Sequence, residues 1–214
     1  MSSDAAERVN HPLFARFYIR TTSARMLPEE EDHRRRLVRG LSGRVIEIGA
    51  GNGLNFQFYP ETVETVLAVE PEPLLRAAAA EAAGRVPVPI RVADGVAGRL
   101  PVGDESFDAG VVSLMLCSVP DQHSALAELF RVIRPGGELR FYEHVVASRP
   151  AAVSLQRLAD ATIWPRVLGG CHLSRDTGAA IERAGFVVER LERFPFSAVA
   201  VLKIPHILGI ARRP

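Results

Sequence analysis

The sequence predicts a single α/β domain, a doubly wound sheet of mainly parallel strands with helices on both faces. Three observations carry this prediction. Short apolar runs alternate with helix-period segments along most of the chain. One of those runs, Phe107 to Leu114, is apolar almost without interruption, as strands buried on both faces are. The run Val45-Ile46-Glu47-Ile48-Gly49-Ala50-Gly51-Asn52-Gly53 reads as a buried strand delivered into a glycine turn. Such a turn lets backbone approach a ligand more closely than any Cβ permits.

The elements follow in order. Leu13 to Tyr18 and Glu29 to Leu41 read as helices ahead of the sheet, with Asp32-His33-Arg34-Arg35-Arg36 as a solvated helical face. Leu54 to Tyr59 reads as a short helix stopped by Pro60, and Thr65 to Glu70 as the second strand. A helix from Pro73 to Ala83 has proline at its start and Gly84 at its end. Val88 to Ala93 is the third strand and Phe107 to Leu114 the fourth. Asp121 suits the N-cap of the next helix, whose Leu126, Leu129, Phe130 and Ile133 share one face. Pro135-Gly136-Gly137 ends it before a fifth strand, Glu138 to Val146. Helices over Ala151 to Ile163 and Ser174 to Ala184 precede the closing strands Phe186 to Arg193 and His206 to Arg212. In a sheet of this kind the loops at the carboxyl ends of the strands converge on one rim, where ligands bind.

Bulk composition narrows the function. The chain has 214 residues, 47% of them hydrophobic, enough for one substantial core. A formal charge of +1 supplies no basic excess to neutralise phosphates, so the expected partner is a small molecule and not nucleic acid. The polar start, Met1 to Arg8, lacks the apolar stretch of a secretory signal, and no segment has the roughly 18 apolar residues of a membrane span. The expectation is a cytoplasmic protein without a stable membrane anchor, monomeric or homodimeric. Cys117 and Cys171 cannot build a disulfide framework and lack metal-ligand spacing, so the sequence predicts a reducing compartment and no metal.

Spacing at the glycine turn selects the ligand. A dinucleotide fingerprint needs its third glycine at position 54, where Leu54 stands. Glu47 adds a carboxylate at the strand's end, which repels a pyrophosphate and tolerates a cation. That combination disfavours a nicotinamide oxidoreductase and suits S-adenosylmethionine, a nucleoside with a sulfonium and no phosphate. Glu70, closing the next strand, is the expected acceptor for its ribose hydroxyls.

Glu47-x-Gly49-x-Gly51-x-Gly53 resembles the first motif of the class I S-adenosylmethionine-dependent methyltransferases. Val69-Glu70-Pro71, Ala93-Asp94-Gly95, Asp104-x-Ser106-Phe107-Asp108 and Arg131-Val132-Ile133-Arg134-Pro135-Gly136-Gly137 match the same pattern in order. Within that superfamily, Asn10-His11-Pro12-Leu13-Phe14-Ala15-Arg16-Phe17-Tyr18, Leu116-Cys117-Ser118-Val119-Pro120-Asp121 and Gly169-Gly170-Cys171-His172-Leu173-Ser174-Arg175-Asp176-Thr177 resemble the methyltransferase-like 7 proteins and their bacterial relatives, which methylate small thiols. The resemblance implies a Rossmann-like methyltransferase fold of seven strands with the last antiparallel. It also implies residues 1–42 as an N-terminal helical lid on a methyltransferase domain spanning 43–214.

Residue roles follow from the resemblance. Gly49, Ala50, Gly51 and Gly53 pass under the methionine portion of the donor, with Glu47 at the strand's end; the helix with Phe14, Phe17 and Tyr18 lids the donor site or docks on the core; Glu70 and Pro71 hold the ribose; Asp94 and Gly95 hold the adenine; and the backbone of Leu116, Cys117 and Ser118 faces the sulfonium. Asn55 either supports the donor's amino-acid end or packs at a helix start. Phe14 and Trp164 line the acceptor side or the core, and Cys171 lines that pocket or packs beneath it. Arg175 attracts an anionic acceptor or pairs with Asp176. His144 and His172 are the candidates to help a thiol lose its proton, with Asp176 one helical turn from His172 if that segment is helical. The expected reaction is metal-independent S-methylation of a small thiol. The alternatives are C- or N-methylation of a quinone precursor, natural product or amine headgroup, and a donor-binding protein without turnover.

Overall fold

The computed structural model describes residues 11–22, 26–162, 164–196 and 203–214; the segment 1–10, with Asn10 and the polar start, and Ile163 lie outside the described residues. Two helices, α1 (Pro12–Thr22) and α2 (Pro28–Val38), precede the sheet. Then follow β1 (Gly43–Ile48), β2 (Val63–Val69), α3 (Pro73–Ala83), β3 (Ile90–Ala93), β4 (Phe107–Ser113), α4 (Gln122–Val132) and β5 (Ile133–His144). The chain closes with α5 (Pro150–Asp160), α6 (Trp164–Val167), α7 (Thr177–Arg183), β6 (Val187–Phe196) and β7 (Ile204–Arg212).

The seven strands form one sheet in the order β3-β2-β1-β4-β5-β7-β6. Strand β1 lies at the centre, parallel to β2 and β4, while β7 runs antiparallel to both β5 and β6, as the resemblance implied. Chain order reverses at β1 and β4, and a ligand crevice opens where strand order switches. Alternate residues of the central strands feed two apolar cores. Ile46, Ile48, Leu67 and Val112 meet Leu126, Leu129 and Ile181 on one face; Val45, Val66, Ala68 and Val111 meet Leu37, Leu41 and Ala79 on the other.

The caps that the sequence marks hold. Pro73 opens α3 behind Glu72, whose side chain accepts from Leu75 N, and the Asp121 carboxylate accepts from His123 N and Ser124 N at the start of α4. Three expectations are corrected. Leu54 to Tyr59 forms only one 3-10 turn, Phe56–Phe58, because its amides bond three residues back, Phe56 N to Gly53 O and Phe58 N to Asn55 O. Ser174 does not begin a helix. The Asp160 carboxylate holds Leu173 N, Ser174 N and the Ser174 hydroxyl in a turn, so α7 starts after Asp176, which caps it through Ala179 N. His172 and Asp176 are therefore not one helical turn apart. Finally, the run Asp32 to Arg36 is not wholly solvated: Arg35 and Asp32 are exposed, but His33 and Arg34 are buried. Arg34 lies three, four and seven residues before Leu37, Val38 and Leu41, which places it on the face that meets the sheet.

Candidate active site

Two carboxylates organise the turn after β1. Gly49, Gly51 and Gly53 have φ of 68°, 57° and 82°, left-handed values that a side chain resists. A Cβ on Gly49 would stand 2.3 Å from Met115 Cγ, so the turn is also packed too closely for any side chain there. Gly49 N and Ala50 N donate to Val69 O, which ties the turn to the end of β2. There Glu70, 5% exposed, accepts from Gly51 N at 2.8 Å through Oε2 and from Glu72 N at 3.0 Å through Oε1. Burial pushes the Glu70 carboxyl up, opposed by those two amides. Arg76 Nη1 draws the neighbouring pieces together, donating to Glu70 O, Pro71 O and Asp94 Oδ1. Asp94, followed by Gly95, ends β3 with its carboxylate largely exposed.

Beneath the turn lies a buried chain of polar groups. Glu47 accepts from Asn55 Nδ2 and Tyr59 Oη, each at 2.8 Å, and Arg34 Nη1 donates to Asn55 Oδ1 at 2.9 Å. Glu30 closes the chain by accepting from Arg34 at 2.8 Å. Desolvation dominates at Glu47 and pushes its carboxyl up to about 7 despite the hydrogen bonds from Tyr59 and Asn55. Sequence reasoning found Glu47 and Asn55 and missed Arg34, although its spacing to Leu37, Val38 and Leu41 was a usable signal.

The turn after β4 has a different brace. Leu114 adopts φ 55°, unusual for a branched side chain, and its amide donates to Tyr142 O. The next three amides point at one fully buried carboxylate: Met115 N and Leu116 N donate to Glu143 Oε1 and Cys117 N to Glu143 Oε2. Burial pushes the Glu143 carboxyl up against these bonds. Arg175 reaches the same turn, where Nη1 donates to Leu116 O and Val119 O at 2.7 and 2.6 Å. Glu143 escaped the sequence reading because a single acid inside an apolar strand gives no spacing pattern.

Beside this turn the fold gathers two thiols and an imidazole. His144 Nδ1 lies 3.3 Å from Cys171 Sγ and 3.6 Å from Cys117 Sγ, with Ser118 Oγ a further 3.5 Å contact of Cys117. The hydrogen bond with Cys171 and burial push the Cys117 thiol well up, whereas the same hydrogen bond pulls the Cys171 thiol down against its burial. Burial opposes protonation of His144, but Cys117 and Glu143 raise it overall. Leu173, Trp164 and Leu168 pack around the sulfurs. His172 is fixed by its backbone amide, which donates to Cys117 O.

Helix α1 reaches from the turn after β1 to Gly169. The Tyr18 ring lies over Gly51, where a Cβ would come within 3.7 Å of Cε1, and Asn52 Nδ2 donates to Thr22 Oγ1 at the helix end. Burial pushes the Tyr18 phenol up. Phe14 stacks on Tyr18 with ring centroids 5.6 Å apart and reaches Gly169, where a Cβ would stand 2.7 Å from the Phe14 ring. All twenty residues singled out from the sequence therefore lie on, beneath or beside one rim.

Comparison with known proteins accords with this geometry. Residues 46–141 match the family model described as a methyltransferase domain. Mouse thiol S-methyltransferase TMT1B is 36% identical over 207 residues, covering 91% of this chain and 84% of the relative. Human thiol S-methyltransferase TMT1A is 35% identical over 178 residues, 80% of this chain and 72% of the relative. Among solved structures, a putative methyltransferase from Bacillus halodurans superposes with a TM-score of 0.73 at 16% identity, covering 87% of this chain and 99% of its own. This chain thus belongs to the S-adenosylmethionine-dependent methyltransferases, in the family that includes these thiol S-methyltransferases.

Proposed function

We propose that this enzyme transfers a methyl group from S-adenosylmethionine to the sulfur of a small-molecule thiol. One observation carries the acceptor assignment. The alignment with the mouse relative extends over 207 residues, far beyond the matched domain at 46–141, and so takes in flanking segments of the kind that roof the rim. In this chain Phe14 and Tyr18 precede the matched domain, and Trp164, Cys171 and His172 follow it.

The residues present fit the donor. A carboxylate has about four acceptor positions, and Glu70 uses two of them on Gly51 N and Glu72 N, which leaves two for a ribose diol. Asn52 Oδ1 is buried in the glycine turn without a hydrogen-bond partner, beside a backbone surface where no Cβ intrudes. Under this reading Gly49, Ala50, Gly51 and Gly53 carry the amino-acid portion and Glu47 with Asn55 sets the charge beneath it. Glu70 and Pro71 hold the ribose, Asp94 and Gly95 the adenine, and the 116–118 backbone borders the sulfonium. S-adenosylmethionine supplies a methyl group on a sulfonium that departs as a neutral thioether.

What the chain contributes is alignment and exclusion of water. Well-oriented reactants recover roughly 7–11 kcal/mol of a bimolecular barrier. Helix α1, pinned by Asn52 to Thr22, covers the turn with Tyr18, and Phe14 and Trp164 make the acceptor side apolar. A thiol acceptor must also become a thiolate, and a free thiol has a pKa of about 8.5. His144, at the end of β5, and His172 are the groups proposed to promote that step. Arg175, bound to Leu116 O and Val119 O, holds the 116–119 turn against the acceptor side.

Incubation with isotopically labelled donor and a panel of thiols, phenols and amines tests the reading. The expected product is an S-methyl thioether with release of S-adenosylhomocysteine. Transfer to phenols or amines with no thioether removes the thiol assignment, and donor binding without any product removes the enzyme assignment.

A further inference from the structure

We propose that Cys117 Sγ, His144 Nδ1 and Cys171 Sγ form a site for a soft divalent cation of the zinc class, with the fourth coordination position left for the acceptor thiol. The three ligand atoms lie within 4.8 Å of one another, and both sulfurs lie 3.3–3.6 Å from the imidazole nitrogen. Tetrahedral zinc, with bonds of about 2.0–2.3 Å, needs ligand atoms roughly 3.5–3.8 Å apart, so the two sulfur–nitrogen distances are near that value and the sulfurs lie close enough to close onto an ion. Two thiolates and one imidazole around a divalent cation are neutral as a whole, which suits cysteines that are 1% and 5% exposed. Three protein ligands also mark a site with an open position, since structural zinc is held by four.

The surroundings supply a second, independent observation. Trp164 Nε1–H is buried and directed at the Cys171 sulfur, so a thiolate there would be a stronger acceptor for that donor than the thiol. Cys117 is held in place by its amide bond to Glu143 and by His172 N to Cys117 O, and β5 fixes His144. Of the acids nearby, Glu143 is turned onto the 115–117 amides and Asp160 onto Leu173 and Ser174, while the His206 ring stands 4.5 Å from that of His144.

This inference rests on the thiol reading only for the occupant of the fourth position. On binding the cation, Cys117 and Cys171 each release a proton to solvent. An incoming thiol then gives up its own proton to solvent as its sulfur joins the cation, because a coordinated thiol is deprotonated outright. Its sulfur forms the new bond to the methyl carbon as the sulfonium–methyl bond breaks, and the thioether product, a weaker ligand, leaves.

The test uses the full chain, reduced, treated with chelator and dialysed. Added cobalt(II) should give a thiolate-to-metal charge-transfer band that saturates at one equivalent, and zinc should abolish it. Cys171→Ser and His144→Gln should each weaken cobalt binding by more than about 100-fold, beyond the 10–100-fold cost of losing an outer-shell partner, while circular dichroism shows the fold intact. The wild-type titration needs no variant, so misfolding of a mutant cannot rescue or sink the result. Absence of the band, or a band unchanged in both variants, overturns the proposal. So does formation of a Cys117–Cys171 disulfide under mild oxidation that zinc fails to prevent. Thiol methylation by chelated enzyme with no cobalt band removes the cation site and leaves the proposed function standing. A saturable cobalt band in a protein that methylates no thiol does the reverse.

Discussion

The two turns on the rim solve the same problem by different means. The turn after β1 is a local device. Glu47, the three glycines, Asn55, Glu70 and Glu72 lie within 26 residues, and carboxylates bind amides of neighbouring segments. The turn after β4 is held by residues remote in sequence: Glu143 is 26–28 positions from the amides it binds, Arg175 is 56–59 from its carbonyls, and Cys117 meets His144 and Cys171. Under the proposed function, a ligand common to a superfamily is served by a motif, whereas the acceptor side is assembled by the whole fold, so acceptor chemistry can change by altering the flanks while the donor turn stays intact.

Glu143→Ala attacks the long-range side hardest. It strands the amides of Met115, Leu116 and Cys117, each worth about 1–3 kcal/mol when buried and unpaired, so stability should fall by at least about 3 kcal/mol in denaturant unfolding. A loss below about 1 kcal/mol would mean that the turn is held without its remote brace, and the contrast between the two turns would fail.

Glu47 gives the local side a pH signature. Its carboxyl is raised to about 7 in the fold against 4.5 unfolded, so the native state binds the extra proton between those values. Stability from this group is present below pH 4.5 and lost as pH rises through 7, by about 3 kcal/mol at about 1.4 per unit. His206, lowered to about 3 chiefly by burial, works in the opposite sense between 3 and 6.5. The informative quantity is therefore the difference between wild type and Glu47→Gln, whose stability should decline less from pH 4.5 to 7.5. Parallel pH curves would place the proton elsewhere.

For donor affinity, Glu70→Ala should weaken S-adenosylmethionine binding on the order of tenfold to a hundredfold by calorimetry, since a hydrogen bond to a charged group is worth about 1.5–3 kcal/mol. Unchanged affinity would remove Glu70 from the donor site. The smallest effect belongs to Phe17 on α1. With its ring 60% exposed, Phe17→Ser should move stability by less than about 0.5 kcal/mol, in contrast to Phe14→Ser on the inner face. A larger loss at Phe17 would mean that the outer face of α1 is covered in solution.

The fold was legible because strands buried on both faces must be apolar and because caps such as Asp121 and Pro73 act within one turn. The misreadings share a cause. Leu54 to Tyr59 has the composition of a helix but too little chain between Gly53 and Pro60 for more than one 3-10 turn. Ser174 carries a capping side chain, but Asp160, fourteen residues earlier, claims it. Arg34 sits in a charged run whose Asp32 and Arg35 face solvent, and only packing against the sheet turns it inward to Asn55.

By itself the sequence determined the order of strands and helices, the glycine turn and the acid that closes the next strand, since these depend on residues close together and on backbone conformations few side chains allow. Only the tertiary structure decided that Glu143 gathers three amides, that α1 bridges Gly51 and Gly169, and that Cys117, His144 and Cys171 share one pocket. Those contacts join distant positions whose spacing along the chain carries no period. Hydrogen bonds and metal-ligand distances act over a few ångströms of space, and only folding converts sequence separation into that proximity.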